Sequence, residues 1–194
     1  ILSEDGKHYI INGQKMWITN GGFANLMTVF AKIDDDKNLT AFIVEADAEG
    51  ISLNPEEKKM GIRGSDTHTL LFNDVKVPKE NRIGADGFGF AFAMSTLNGG
   101  RIGIASQALG IAQGSYELAL KYAQERVAFG KPIFQHQAIA FKLADMHVKT
   151  TAARLLIHKA ASEKDQGLDI AHSGAMAKLY ASEIALEVAN DAVP

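Results

Sequence analysis

An α+β fold, an antiparallel β-sheet or small barrel followed by an antiparallel helical bundle, is what this 194-residue sequence predicts. Three observations predict it. Up to about Gly84 the apolar residues sit in short β-rich runs separated by Asn, Gly, Asp and Pro. From Asp86 onward they recur at steps of three and four, the spacing of one face of a helix. At 46% hydrophobic the chain can bury a core in each half, so it reads as two domains, 1–85 and 86–194.

The strands come first. In "HYIINGQKMWIT" the pair Asn12-Gly13 stands between β-rich runs, and both residues tolerate the positive φ of a type I′ turn, so a hairpin is expected there. "NLMTVFAKI" and "LTAFIVEAD" flank "DDDKN" as a second hairpin, and "HTLLFNDVKVP" is a further strand stopped by Pro78. The first long helix carries two stripes. Ile102, Ala105, Leu109, Ala112, Tyr116, Ala119 and Ala123 form one; Ile104, Ala108, Ile111, Leu118 and Tyr122 form the other, which predicts a helix covered on two faces. Gly130-Lys131-Pro132 breaks it. A second helix carries Ile139, Leu143, Met146, Ala153, Ile157 and Ala160 and ends near Gln166-Gly167. Asp169 is the expected N-cap of a third, with Met176, Leu179, Leu186 and Val193 as its apolar positions. Short turns between long helices give an antiparallel bundle.

Composition excludes several functions. The formal net charge is −3, from 20 basic and 23 acidic residues that are spread rather than blocked, so nothing marks a nucleic-acid partner. With no cysteine there is no disulfide and no thiolate nucleophile, and the six histidines show no metal-binding spacing. No apolar run has membrane-spanning length and "ILSEDGKHYIING" is no signal peptide, so a soluble intracellular chain is expected. The sequence also opens and closes inside what read as structural elements, the expectation for part of a larger protein.

Two stretches draw attention to chemistry. In "GQKMWITNGG", strand alternation puts Met16 and Ile18 on one face and the only Trp, Trp17, with Thr19 on the other. Trp17 either plugs the seam between sheet and bundle or offers a flat wall, beside a hydroxyl, to a planar heteroaromatic ligand. In "LNGGRIGIAS", Arg101 lies among small and apolar residues, where it needs either an intramolecular ion pair or an anionic or polar ligand group. Arg126 and Phe129 end the long helix and His136-Gln137 begin the next; Arg126 could simply complement the helix dipole. Gly84, Gly87 and Gly89 in "GADGFGF" lack the spacing and the strand-loop-helix setting of a phosphate loop.

Taken in order, "NGQKMWITNGG", "FNDVKVPKENRIG", "LNGGRIGIASQALGIAQ", "ERVAFGKPIFQHQAIAFKLADM" and "AMAKLYASEIALEVANDAV" closely resemble the acyl-CoA dehydrogenase family, over essentially the whole chain. The resemblance implies most of the family's middle β domain plus the first three or so helices of its C-terminal domain. It implies FAD as cofactor and an acyl-CoA thioester as substrate. An electron-transfer flavoprotein is then the expected acceptor, a homodimer or homotetramer the expected assembly, and the bacterial cytoplasm or mitochondrial matrix the expected location. By the same resemblance Trp17, Ile18 and Thr19 lie against the flavin. Arg126, Phe129, His136 and Gln137 reach the FAD of a neighbouring subunit, the Arg at its pyrophosphate, with Ala128 replacing a common hydroxyl. Asn98 and Arg101 line the acyl-CoA site; Asn98, commonly Asp in the family, leans toward the long-chain branches.

The chemistry implied is loss of an α-proton to a Glu carboxylate while the β-hydrogen leaves as hydride to flavin N5. That carboxylate needs a dry site and a substrate carbonyl polarised by hydrogen bonds. No catalytic base is expected within these residues. In most of the family it lies on a loop beyond the third helix of the C-terminal domain, and in some branches immediately before the Arg, where this chain has Gly100. A flavin-binding strand should precede Ile1, and a Gln-Ile-x-Gly-Gly segment should follow Val193, where Pro194 stands instead. The alternatives are a flavin oxidase of the same architecture, resembling an acyl-CoA oxidase, and a non-catalytic scaffold of the same fold.

Overall fold

The structure is a computed structural model that describes residues 1–34 and 36–193. Asp35, within the "DDDKN" turn, and Pro194, at the point where the Gln-Ile-x-Gly-Gly segment was expected, lie outside the described residues. Contacts divide the chain into two compact units, Ile1–Met94 and the residues from Ser95 onward.

In the first unit, β1 (His8–Thr19) pairs antiparallel with β5 (Thr67–Pro78), which also holds β4 (Ile51–Leu53). A second sheet has the order β2 (Leu26–Ala31), β3 (Thr40–Glu45), β6 (Arg82–Ile83). Alternate residues of both sheets meet in one core: Tyr9, Ile11, Val29, Phe42, Val44, Phe72, Val75 and Val77 are all buried. Burial of each such side chain contributes about 1.5–3 kcal/mol, which is why the unit needs both sheets. The fold is α+β as the sequence predicts, but the sheets do not close into a barrel. β1 and β4 end one and β2 and β6 end the other among the described residues.

The expected hairpin at Asn12-Gly13 is corrected: β1 runs straight through it. The ladder instead slips between Ile11 and Gly13, whose φ is 139°. Asn12 Nδ2 donates to Asp74 Oδ1 at 2.9 Å and Asp74 N–H returns a bond to Asn12 Oδ1 at 2.8 Å. A bulge uses the same tolerance of positive φ as a type I′ turn, so the dipeptide signals both. The hairpin of β2 and β3 and the stop at Pro78 stand as expected.

The long helix α1 (Gly89–Glu125) begins where Gly89 N–H donates to Leu39 O at 2.7 Å. A Cβ at Gly89 would lie 2.8 Å from that same oxygen, so this glycine of "GADGFGF" serves close packing on the turn before β3.

The second unit consists of the rest of α1, the two-residue strands β7 (Val127–Ala128) and β8 (Lys131–Pro132), α2 (Gln137–Asp165) and α3 (Ala171–Ala192). Its core is built largely from alanine. Ala105, Ala112, Ala153, Ala160, Ala177 and Ala181 are fully buried, with Met146, Ile157, Ile184 and Val188 between them. Small side chains let helix axes approach closely.

Two expectations are not met within the described residues. Of the second stripe of α1, Ile104, Ile111, Leu118 and Tyr122 are exposed, so the described residues cover that helix on one face only. On α3, Met176, Leu179, Leu186 and the following Val193 face outward while Gly174, Ala177, Ala181, Ile184 and Val188 face inward. Asp169 is also displaced from its expected place, since Ile170 holds the N-cap position without a side-chain bond. The Asp169 carboxylate still accepts the Ala171 N–H at 2.9 Å, the service an N-cap gives. No described helix is long and apolar enough to cross a membrane.

Candidate functional site

In the first unit the site is made by a second slip in the β1–β5 ladder. Lys15 pairs with Leu70 and Ile18 with His68, so Met16 and Trp17 together stand opposite Thr69. Trp17 takes the bulge conformation, φ 56°, and its ring is 70% exposed. The extra residue resets the alternation. Met16, expected in the core with Ile18, is instead half exposed, while Ile18 packs against the sheet core and Thr19 is exposed. Within its own unit Trp17 is therefore not a core residue. Ile18, Thr19 and Asn20 also line a cleft of about 370 Å³ walled by Leu26, Val29 and Leu70; Trp17 lies outside those walls.

The strand ends in a held turn. Asn20, at φ 63°, donates its N–H to Asp66 O at 3.0 Å, and Gly22 N–H donates to Asp66 Oδ2 at 2.7 Å. His68 sits beside the same carboxylate, with Nε2 2.7 Å from Asp66 Oδ1 and Nδ1 2.7 Å from Asn54 O. Sequence reading missed Asp66 and His68. The one available signal was Gly21-Gly22 after the strand, a pair that leaves room for close neighbours.

In the second unit Arg126 follows the last residue of α1. Its N–H still bonds Tyr122 O at 2.8 Å and its carbonyl accepts Ile133 N–H at 2.8 Å, which ties the helix end to the segment that starts α2. Between them β7 and β8 form a hairpin with Phe129 (φ 51°) and Gly130 (φ 77°) at its tip, the positive pair a type I′ turn requires. Phe129 is 97% exposed. His136, at the N-cap position of α2, sets Nε2 3.1 Å from Ala128 O and meets the Phe129 ring edge-on at 6.1 Å. Position 128 thus contributes its main chain here, and a methyl where a hydroxyl was expected. Gln137 is the first residue of α2 and is exposed. Arg126, Phe129, His136 and Gln137 are in this way gathered at one helix connection.

Asn98 and Arg101 lie three residues apart on α1, both half-buried, and Arg101 Nη1 donates to Asn98 Oδ1. Among the described residues no ion pair includes Arg101 or Arg126. The intramolecular ion pair considered for Arg101 is replaced by a neutral amide partner. Asn98 also borders an open cleft of about 650 Å³ with Ser95, Thr96, Lys164 and Asp169. Gly100 faces open space: nothing lies within 4 Å of where its Cβ would be. No group of three or more His, Asp or Glu that could hold a metal occurs among the described residues.

The donor set can be tested against FAD. An exposed indole with a hydroxyl one residue beyond Ile18 suits an isoalloxazine ring system and its polar edge. A guanidinium without an acidic partner, at a site with an exposed phenyl ring, suits a pyrophosphate and its neighbouring ring system. Each unit's residues fit the part of the group expected of them.

Two antiparallel sheets in the first unit, an alanine-lined helical unit in the second and an exposed aromatic on a strand bulge define the class as α+β. Residues 1–75 match the family described as "Acyl-CoA dehydrogenase, middle domain" and residues 87–194 match "Acyl-CoA dehydrogenase, C-terminal domain". The chain belongs to the acyl-CoA dehydrogenase family.

Among curated relatives, it is 48% identical over 194 residues to a short-chain-specific acyl-CoA dehydrogenase of Megasphaera elsdenii, covering 98% of this chain and 50% of the relative. It is 46% identical over 191 residues to the CarC subunit of the caffeyl-CoA reductase-Etf complex of Acetobacterium woodii, covering 97% and 50%. The solved structure of butyryl-CoA dehydrogenase from Megasphaera elsdenii superposes with a TM-score of 0.94 at 48% identity, over 98% of this chain and 50% of that one. The chain thus spans about half the length of these relatives.

Proposed function

We propose that this chain is the central part of an FAD-dependent acyl-CoA dehydrogenase, residues 1–85 being its middle β domain and 86–194 its C-terminal helical domain. The observation that carries the reading is Trp17, the only indole, held by a strand bulge at φ 56° with its ring 70% exposed next to Ile18-Thr19. A strand that sacrifices ladder pairing to present an indole gains nothing in packing from it within its own unit.

FAD, when bound, supplies the acceptor for the β-hydrogen of a saturated acyl-CoA. Trp17 and Ile18 would flank its ring system as an apolar wall and Thr19 would offer a hydroxyl at the edge that gains charge on reduction. Arg126 would present its fork to the pyrophosphate of a neighbouring subunit's FAD, with Phe129, His136 and Gln137 around it. Asn98 and Arg101 would line the acyl-CoA site, the amide keeping the guanidinium in one orientation.

An electron-transfer flavoprotein is the acceptor we assign, supported by likeness to the CarC subunit of an Etf complex. A homodimer or homotetramer is supported by the uncovered apolar rows Ile104, Ile111, Leu118 and Phe141, Val148, Leu155, each at a seven-residue step. The bacterial cytoplasm or mitochondrial matrix is the compartment that completes the reading.

The test is an anaerobic addition of saturated acyl-CoA to the full-length protein. The oxidised-flavin absorbance should bleach, and it should return on adding electron-transfer flavoprotein without release of peroxide. Stoichiometric peroxide in air would indicate the oxidase instead, and a purified protein without flavin the scaffold.

A further inference from the structure

We propose that His68 and Asp66 are positioning residues for the Trp17–Thr19 wall: an imidazolium and its carboxylate clamp the turn that follows the strand, and the clamp loosens when the ring gives up one proton. The functional consequence rests on the flavin reading above, whereas the clamp itself stands on geometry.

Both ring nitrogens of His68 face acceptors. Nδ1 is 2.7 Å from Asn54 O, and a carbonyl oxygen only accepts, so Nδ1 carries a hydrogen. A neutral ring would then turn the lone pair of Nε2 toward Asp66 Oδ1 at 2.7 Å, two acceptors in contact. Only the doubly protonated ring donates at both ends.

Asp66 passes the constraint on. Its Oδ2 takes Gly22 N–H and its main-chain oxygen takes Asn20 N–H, so one residue holds both ends of the turn. The fit has no slack. A Cβ at Gly22 would stand 2.8 Å from His68 Nε2 and 2.9 Å from Asp66 Oδ2. On the ladder His68 is the direct partner of Ile18, between Trp17 and Thr19.

The charges around the ring favour the proton. Asp66 touches it and Glu56 stands nearby on the segment of Asn54. Of the two lysines of that segment, Lys58 and Lys59, neither shifts the ring, and Lys59 is turned to Ser65 O and Thr67 Oγ1. The Asn54 carbonyl first, then the two carboxylates, hold the His68 pKa above its usual value against partial desolvation. The sign follows: the clamp is fully present below the unfolded value of about 6.5 and is lost as pH rises through the higher folded value.

Hydrogen exchange of the Asn20–Gly22 amides in the full-length protein, corrected for the intrinsic pH dependence, reads the clamp without reference to flavin. Protection should fall at least about tenfold across a midpoint above 6.5, as loss of a charge-assisted bond implies. D66N should move the midpoint down, and H68Q should remove the step. Protection that is flat with pH, or the same step in H68Q, would overturn the proposal. Should H68Q not fold, an unmoved midpoint in D66N overturns it as well. The bound-flavin spectrum should follow the same midpoint. A step in exchange with an unmoved flavin spectrum keeps the clamp and overturns the flavin-wall reading.

Discussion

No dehydrogenase turnover is expected from the 194-residue chain alone, assayed with a saturated acyl-CoA and an artificial electron acceptor against a flavin-only blank. Removal of an α-proton needs a carboxylate within about 3 Å of it. Within the proposed function, one of the two positions for that carboxylate falls on Gly100, which carries no side chain and faces open space.

The other carboxylates on the helices are engaged elsewhere or exposed: Asp191 pairs with Lys142 at 3.2 Å, Glu163 lies 3.9 Å from Lys159, and Asp145 and Asp165 are exposed. Glu117 accepts from Gln113 at 2.7 Å, Glu187 pairs with Lys149 at 2.6 Å, and Glu125 and Glu183 are exposed on their helices. Removing a general base costs about 10²- to 10⁴-fold in rate, enough to bring turnover to the blank. Turnover above it would mean that a Glu within these residues reaches the α-carbon and that the reading of Gly100 is wrong.

The second large effect concerns Arg126. In the full-length protein, Arg126→Ala is expected to weaken FAD retention about 10- to 100-fold, the equivalent of the roughly 1.5–3 kcal/mol of a hydrogen bond to a charged group. The oligomer should weaken with it. Both follow because the guanidinium has no acidic partner among the described residues while its backbone is tied to Tyr122 and Ile133. The substitution removes the charge without disturbing the turn. Unchanged flavin content and unchanged gel-filtration volume would leave Arg126 as a helix-end cation complementing the dipole.

What could be read from the sequence depended on how local the determinant was. The β2–β3 hairpin, the stop at Pro78 and the breaks near Gly130 and Gly167 each follow from one residue's backbone chemistry, and each is where it was expected. Asn12-Gly13 misled because the same chemistry serves a bulge when the chain on both sides pairs with a single long strand. The slip at Met16-Trp17 has no sequence mark at all, and it moved Met16 out of the core.

On α3 the eye goes to Leu179 and Leu186, but close helix packing selects Ala177 and Ala181 and leaves the leucines outside. The candidate residues around Arg126 were legible through resemblance, since motif order along the chain is a sequence property. The Asp66–His68 pair was not, because its partners, Asn20, Gly22 and Asn54, are brought together only by the registers of β1 and β4 on β5.

The central claim is that Trp17 forms a wall of the flavin site, and its own fluorescence tests it most directly. Trp17 is the only indole of this chain, and in the full-length protein its contribution is isolated by comparison with Trp17→Phe. With FAD bound, the emission assigned to Trp17 should be strongly quenched, and it should recover when the flavin is removed. Emission from Trp17 that is the same with and without FAD would contradict the account.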